Sequence, residues 1–339
     1  AIRALPDGDY HSEIWNNPMG TPLRYPLKLT VKGDEIEIDF DGAPPQMAQG
    51  GLNSTLSYTS AHSTYPLKCM LTPNVRGNAG CYRPFTIKAP EGSILNPRRP
   101  AAVNLRTRTG WYSAPNIFRA LSQAAPKNVQ AFTGLPLVFN FYGVDGDGRT
   151  YSDMLFMGGG QGGSDRKDGK SGLLWPTSAA NTSIELFEAR VPVLVLEKTY
   201  VPDSGGPGRH RGGLGQRCRV RKLHDDGRTT LVSAYPEGVN NPINGLYGGK
   251  PGCEPYARVY DAEGNLVQDC GTGALISLED ASRIVEVQLA GGSGFGDPKE
   301  RSRELILEDL AGGRITEDGA KRDYGLSLAD LRRPQEAAE

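Results

Sequence analysis

Asn53, Asn78, Arg83 and Asn181 each sit in an apolar or glycine-rich stretch of the 339-residue chain. Burying a polar side chain in such surroundings costs energy unless it finds a partner, so each is a candidate for work. Arg83 offers a fork of donors to a carboxylate or carbonyl. The amides could orient a planar group that presents both N–H and C=O. The competing reading for each is loop bracing through hydrogen bonds to backbone. His62 falls on a stretch from Leu52 to Leu71 that patterns as a helix and also carries Asn53 and Lys68. There it is either a general base or a partly buried, hydrogen-bonded histidine. Gly158, Gly159 and Gly160 would let the backbone approach a ligand or a partner chain, or would simply turn tightly.

Several familiar spacings fail on inspection. Gly158, Gly160 and Gly163 match a dinucleotide fingerprint by letters, but a polar loop from Ser164 to Gly169 follows instead of an amphipathic helix. No helix N-terminus is then available for a pyrophosphate. Gly169-Lys170-Ser171 ends like a phosphate loop, yet Ser164 stands where its first glycine is required. A calcium loop beginning at Asp145 would need ligands at Arg149 and Phe156, which supply none. His11, His62, His210 and His224 form no HxH, HxxH or HExxH spacing, so no metal ligands are assigned. Asp39 and Asp41 would share one strand face and could hold a cation or a proton, although a strand end turning at Gly42 explains both. His210 is read as packing in a turn, and His224 with Asp225 and Asp226 as hairpin-capping residues.

The elements that must position these residues follow from hydrophobic patterning. Glu35 to Phe40 alternates as a half-buried strand, and Leu135 to Tyr151 reads as two strands around Asp145-Gly146-Asp147-Gly148. Arg217 to Arg221 is another alternating strand, with an arginine face expected in solvent. Ala257 to Tyr260 and Leu266-Val267 flank a further turn. Helices are predicted over Leu52–Leu71 and Ser113–Ala125, the latter stopped by Pro126, and as a C-terminal pair. Leu305, Leu307 and Leu310 mark the first of that pair; Thr316, Ala320 and Tyr324 mark the second. The expectation is an α+β fold: a mixed core portion over 1–184, a β-rich domain over 185–298 with many tight Gly/Pro turns, and a short helical tail over 299–339.

Lys plus Arg (38) and Asp plus Glu (39) nearly cancel, so no global field favours nucleic acid or an anionic membrane. No apolar run approaches the roughly 18 residues that span a bilayer. Five widely spaced cysteines without a CxxC read as free, buried thiols. A cytoplasmic setting is the expectation.

Certain segments are distinctive as words. They include Asn78-Ala79-Gly80-Cys81-Tyr82-Arg83-Pro84, Pro202-Asp203-Ser204-Gly205-Gly206-Pro207-Gly208 and Arg211-Gly212-Gly213-Leu214-Gly215. Near the end come Gly291-Gly292-Ser293-Gly294-Phe295-Gly296-Asp297-Pro298 and Arg322-Asp323-Tyr324-Gly325. In this order they resemble the hydantoinase B family, which includes the B subunits of ATP-dependent N-methylhydantoinases, parts of 5-oxoprolinases and the alpha subunits of acetone carboxylases. The resemblance covers nearly the whole chain.

The resemblance implies a component of an ATP-dependent complex that hydrolyses a cyclic amide C–N bond. ATP with Mg would be bound by a hydantoinase A-type subunit and would activate the ring carbonyl. An ATP-dependent ketone carboxylase subunit is the alternative enzyme, and an assembly module that docks the A-type subunit is the alternative from another class. In the family, a substantial part precedes the region matching Ala1 and carries His- and Asp-containing motifs associated with a divalent metal. The N-terminal part of the B subunit is therefore an expected partner. Asn78 and Arg83 converging on one pocket would favour chemistry in this chain; an exposed apolar face would favour docking.

Overall fold

A computed structural model describes residues 1–330 except 174, 177, 178, 181 and 328. The backbone divides into two compact units. One holds residues 1–130 with 237–241; the other holds 131–236 and the described residues from 242 onward.

In the first unit, strands β1 (Gly8–Asn16), β2 (Leu23–Lys32), β3 (Glu35–Asp39) and β4 (Phe85–Lys88) form one sheet in that order. The first three are antiparallel, and β4 runs parallel to β3. Strand β2 shows why the sheet forms. Leu23, Tyr25, Leu27, Leu29 and Val31 are buried and alternate with polar or half-buried residues, which gives the strand one core face. Gly33 takes the left-handed turn into β3.

Four helices complete this unit: α1 (Leu56–Leu71), α2 (Ala79–Tyr82), α3 (Arg106–Gly110) and α4 (Ser113–Ala124). Helix α4 packs on β1 and β2, and α1 packs on α4. Asn116 of α4 donates to the Tyr25 carbonyl at 2.9 Å and accepts from Ser12 Oγ at 2.6 Å, pinning helix to sheet. Helix α1 starts at Leu56 because the Thr55 side chain caps it by accepting from the Tyr58 N–H. Asn53 therefore lies before the helix that was expected to carry it.

The second unit contains β5 (Leu137–Val144), β6 (Thr150–Met157), α5 (Ile184–Glu188), β7 (Val193–Tyr200), β8 (Gln216–Lys222), β9 (Thr230–Ala234), β10 (Tyr256–Tyr260), β11 (Leu266–Asp269), β12 (Ala274–Leu278) and β13 (Ile284–Gln288). Two antiparallel sheets result, ordered β12-β9-β5-β6 and β11-β10-β13-β8-β7. Their inner faces share one core as a sandwich. Phe139, Phe141 and Leu155 come from one sheet, Val220, Val259 and Val287 from the other. Phe187 of α5 joins edge-on to Phe141, ring centroids 5.1 Å apart.

The predicted turn at Asp145 is present, with its carboxylate accepting the N–H groups of Asp147 and Arg149. The β-rich body begins at Leu137, and the boundary expected at 184/185 falls inside this unit. The arginine face of β8 also differs from expectation. Neighbouring strands bring Glu197 to 2.6 Å from Arg217 and Glu286 to 3.2 Å from Arg219, so these guanidinium groups are ion-paired and half-buried.

Helices α6 (Arg303–Ala311) and α7 (Glu317–Tyr324) form the expected C-terminal pair. Ser302 and Thr316 cap their starts, and Gly325 ends the second in the left-handed region. Ile306, Ile315, Ala320 and Tyr324 make their small core. Leu307, one of the leucines that mark α6 in the sequence, is exposed, while Ile306 is buried. Among the described residues no helix is long and apolar enough to cross a membrane.

Beside the sandwich, the second unit carries a layer of glycine-rich segments packed backbone to backbone. Residues 158–163 alone exchange hydrogen bonds with four others. Gly134 N–H donates to Gly160, Gln161 to Lys170, Gly213 to Gln161, and Gly163 to Ser293, all at 2.7–2.9 Å. These segments run so close that side chains have no place. A Cβ on Gly160 would collide with the Gly213 carbonyl, one on Gly212 with that of Gly292, and one on Gly292 with that of Gln161.

Candidate functional site

In the first unit an open cleft of about 680 Å³ lies over β1 and β2, lined by His11, Glu13, Arg24, Lys28, Asp39 and Asp41 among others. Its charges are largely satisfied locally. Arg24 reaches Glu13 at 2.8 Å, and Lys28 reaches Asp9 at 3.0 Å. The Trp15 indole N–H and then Arg24 hold the Glu13 carboxyl below its ordinary range. Asp39 accepts the Asp41 N–H at 2.9 Å where the strand turns into Gly42. Cations and anions alternate across this face, which suits contact with a polar surface better than proton transfer.

The residues singled out from the sequence do not gather there. Asn53 is fully buried and braces a loop: it accepts from Met47 N–H and donates to the carbonyls of Met47 and Ala102, at 2.8–3.0 Å. Its burial cost is met by backbone. His62 lies on α1 with its ring 4.3 Å from that of Tyr58. Burial lowers its pKa to about 4, so at neutral pH it is an uncharged imidazole. Asn78 caps the four-residue α2, accepting from Gly80 N–H at 2.9 Å, and Arg83 follows at the other end of that helix. Both are exposed, and neither lines the cleft above. Asn181 lies outside the described residues.

Gly158, Gly159 and Gly160 are buried in the glycine layer. Atoms of the chain itself fill the space beside their Cα atoms: the Gly172–Leu173 backbone at 2.9 Å for Gly158, and the carbonyls of Gly134 and Gly213 for the other two. These glycines admit neighbouring backbone and leave no room for a nucleotide phosphate.

Two buried charge clusters were not singled out from the sequence. In the first unit, Glu237 receives the Arg108 guanidinium, Asn16 Nδ2 at 2.8 Å and the Tyr112 hydroxyl at 3.4 Å. In the second, Arg301 bridges Asp168 at 2.7 Å and Asp309 at 2.6 Å, while Arg211 meets Asp309 at 3.0 Å. Arg301, Arg211 and Asp309 are almost wholly buried. Burial pushes the Asp168 carboxyl up, but the hydrogen bond and charge of Arg301, with Arg211, bring it below the ordinary range. Asp168 lies 43 residues from Arg211 and 133 from Arg301, and although Arg301 and Asp309 are 8 apart, no local pattern announces the cluster. Both clusters hold loops in place. Among the described residues no three His, Cys, Asp or Glu side chains converge as metal ligands, so no step is assigned through a metal in this chain.

Comparison with known proteins agrees with this arrangement of scaffold and loops. The chain is 31% identical over 97% of its length to the B component of a putative D-/L-hydantoinase of Pseudomonas sp. (strain NS671). It is 28% identical over 99% to the beta chain of the caprolactamase of Pseudomonas jessenii. It spans 57% and 60% of those two proteins. The crystal structure of the ATP-dependent caprolactamase from Pseudomonas jessenii superposes with a TM-score of 0.85 at 24% identity, covering 99% of this chain and 60% of that one, which shows a common fold. The sequence model of the hydantoinase B/oxoprolinase family matches residues 1–298, and the chain belongs to that family.

Proposed function

We propose that the chain is one component of an ATP-dependent assembly, working in the cytoplasm, that hydrolyses the C–N bond of a cyclic amide. The observation that carries this reading is alignment along almost the entire chain with components named for a hydantoinase and a caprolactamase. Hydantoin and caprolactam are both ring amides, whose resonance makes the carbonyl carbon a poor electrophile. Transfer of the ATP γ-phosphoryl group to the ring carbonyl oxygen releases ADP and makes the ring carbon electrophilic. Water adds there, the C–N bond breaks to an amine and an acyl phosphate, and a second water releases inorganic phosphate and leaves the carboxylate.

Nucleotide binding falls to a hydantoinase A-type subunit in this reading. The packing of the Gly158–Gly163 backbone against its own neighbours supports that division of labour. A divalent metal, where the reaction uses one, belongs with the preceding part of the B subunit. The contribution of this chain is a rigid scaffold that supports the shared site and docks those partners. Asn78 and Arg83, exposed at the two ends of α2, are proposed to face a partner or the substrate it delivers.

The test is co-expression with an A-type subunit and the preceding B segment, followed by assays of ADP and ring-opened product on hydantoins, lactams and 5-oxoproline. Product formed in proportion to ADP is expected. Bicarbonate-dependent carboxylation of a ketone in place of ring opening would overturn the hydrolase reading in favour of a carboxylase. Stable assembly that turns over none of these substrates would leave the chain a docking module.

A further inference from the structure

A second cleft, of about 420 Å³, opens at the edge of the sandwich between β7 and the start of α5. Lys198 and Tyr200 on β7 pair in register with Cys218 and Gln216 on β8. Strand alternation therefore places these four residues on one face of the sheet. Cys218 is sealed in the core, and burial pushes its thiol up to about 12. Lys198, Tyr200 and Gln216 line the cleft together with Ile184 and Glu185.

Two groups here have chemistry left over. The Lys198 ammonium is half-buried, and among the described residues no carboxylate or hydrogen-bond acceptor reaches it. Burial lowers its pKa from the ordinary lysine value. Glu185, the acid in the lining, accepts from Ser183 Oγ at 2.6 Å and forms no ion pair with Lys198. Gln216 is only 5% exposed, and its Oε1 has no hydrogen-bond donor. A buried amide oxygen without a donor carries a desolvation cost that nothing offsets. A glycine at position 172 leaves room beside the Gln216 amide and the Tyr200 ring. Gly172 adopts φ +60, and a Cβ there would stand 2.5 Å from Gln216 Nε2 and 2.7 Å from the Tyr200 ring.

We infer that this cleft binds a small molecule carrying both a carboxylate and an N–H group, the chemistry of an amino acid or its N-acyl derivative. The carboxylate meets Lys198 and the Tyr200 hydroxyl, and the N–H meets Gln216 once its amide turns toward the ligand. An ammonium without a counter-ion selects a negative group, and an acceptor without a donor selects an N–H; one ligand that supplies both removes both deficits. The volume suits a ligand of this size. Ring opening of a cyclic amide yields molecules of this class, but binding in this cleft needs no turnover.

The test is calorimetric or ligand-observed NMR titration of the full 339-residue chain with L-glutamate and N-acetylglycine, against acetate, N-methylacetamide and inorganic phosphate. Binding of L-glutamate and N-acetylglycine is expected, weakened about tenfold or more by Lys198→Met. Lys198→Arg should retain it, and Gln216→Leu should weaken N-acetylglycine more than acetate. Thermal melts of each variant separate lost binding from lost fold. Equal binding by wild type and Lys198→Met, or no binding at millimolar ligand, would overturn the site. Phosphate binding as tight as glutamate would overturn the ligand class.

Discussion

The second unit is held together in two ways within one piece of chain. In the sandwich, backbones stand apart and side chains fill the space between sheets; Phe139, Phe141, Val220 and Val287 meet there without exposure. In the glycine layer the backbones themselves touch, and the space a side chain would use is filled by a neighbouring carbonyl. The first arrangement draws on apolar area removed from water, about 25 cal/mol per Å². The second draws on hydrogen bonds and close contact, with little apolar area to bury. A sandwich core can relax around a changed methyl group, because side chains have rotamers. A glycine layer has no rotamers to change, so an added atom must move whole strands of chain.

The sharpest test of this contrast is Gly160→Ala. The new methyl would collide with the Gly213 carbonyl and also stand 2.5 Å from the Gly292 nitrogen. A loss of about 3–5 kcal/mol or failure to fold is expected, because backbone cannot step aside as a side chain does. Urea unfolding or soluble yield would measure it. A loss below about 1 kcal/mol would break the contrast, since the layer would then be as adaptable as the sandwich.

The layer is also clamped by charge, through Arg211 and Asp168 on its segments and Arg301 and Asp309 toward α6. Asp309→Ala leaves two buried guanidinium groups short of a partner, and about 3–4 kcal/mol of destabilisation is expected. The clamp has a pH signature. The Asp168 carboxyl is depressed below its ordinary value of 3.8, so its contribution is complete at neutral pH and is lost as pH falls below that value through its folded pKa. Acid unfolding of wild type beside Asp168→Asn reads this directly: the variant should start less stable and lose less as the solution is acidified.

Conservative change in the sandwich is expected to cost less. Ile276→Val removes one methyl from the shared core, for about 0.5–1.5 kcal/mol by equilibrium unfolding. A cost equal to that of Gly160→Ala would mean that the sandwich is packed as rigidly as the layer.

The two regions were unequally legible in the sequence, for the same physical reason. Strand alternation at Glu35–Asp39, the Asp145 hairpin and the capped C-terminal helices are local patterns, and they appear where they were expected. Leu52 suggested too early a start for α1 because hydrophobicity continues upstream of the Thr55 cap. Glycine says only that a side chain is missing; which carbonyl fills the space depends on segments far away along the chain. Asn53 and Asn78 were marked as polar residues whose burial would need a partner; Asn53 is buried and held by nearby backbone, whereas Asn78 is exposed and caps a short helix. Lys198 and Gln216 drew no notice because each sits in an ordinary alternating strand. Only the register of β7 on β8 brings them to one cleft.

The smallest predicted effect is the control that gives the largest one meaning. Gly146 lies in the tip of the β5–β6 hairpin, and a Cβ there would meet nothing within 4 Å. It is not among the glycines held at positive φ, so alanine suffers no backbone penalty. Gly146→Ala should therefore fall within about 0.5 kcal/mol of wild type, with any gain coming from alanine's restriction of the unfolded chain. Measured beside Gly160→Ala, it separates glycine kept for space from glycine that merely occurs in a turn. If both variants lost several kcal/mol, the added methyl would be acting through the unfolded chain or through turn geometry, and collision with neighbouring backbone would no longer explain the layer. If only Gly160→Ala did, the difference between the two would measure how closely the glycine segments are packed.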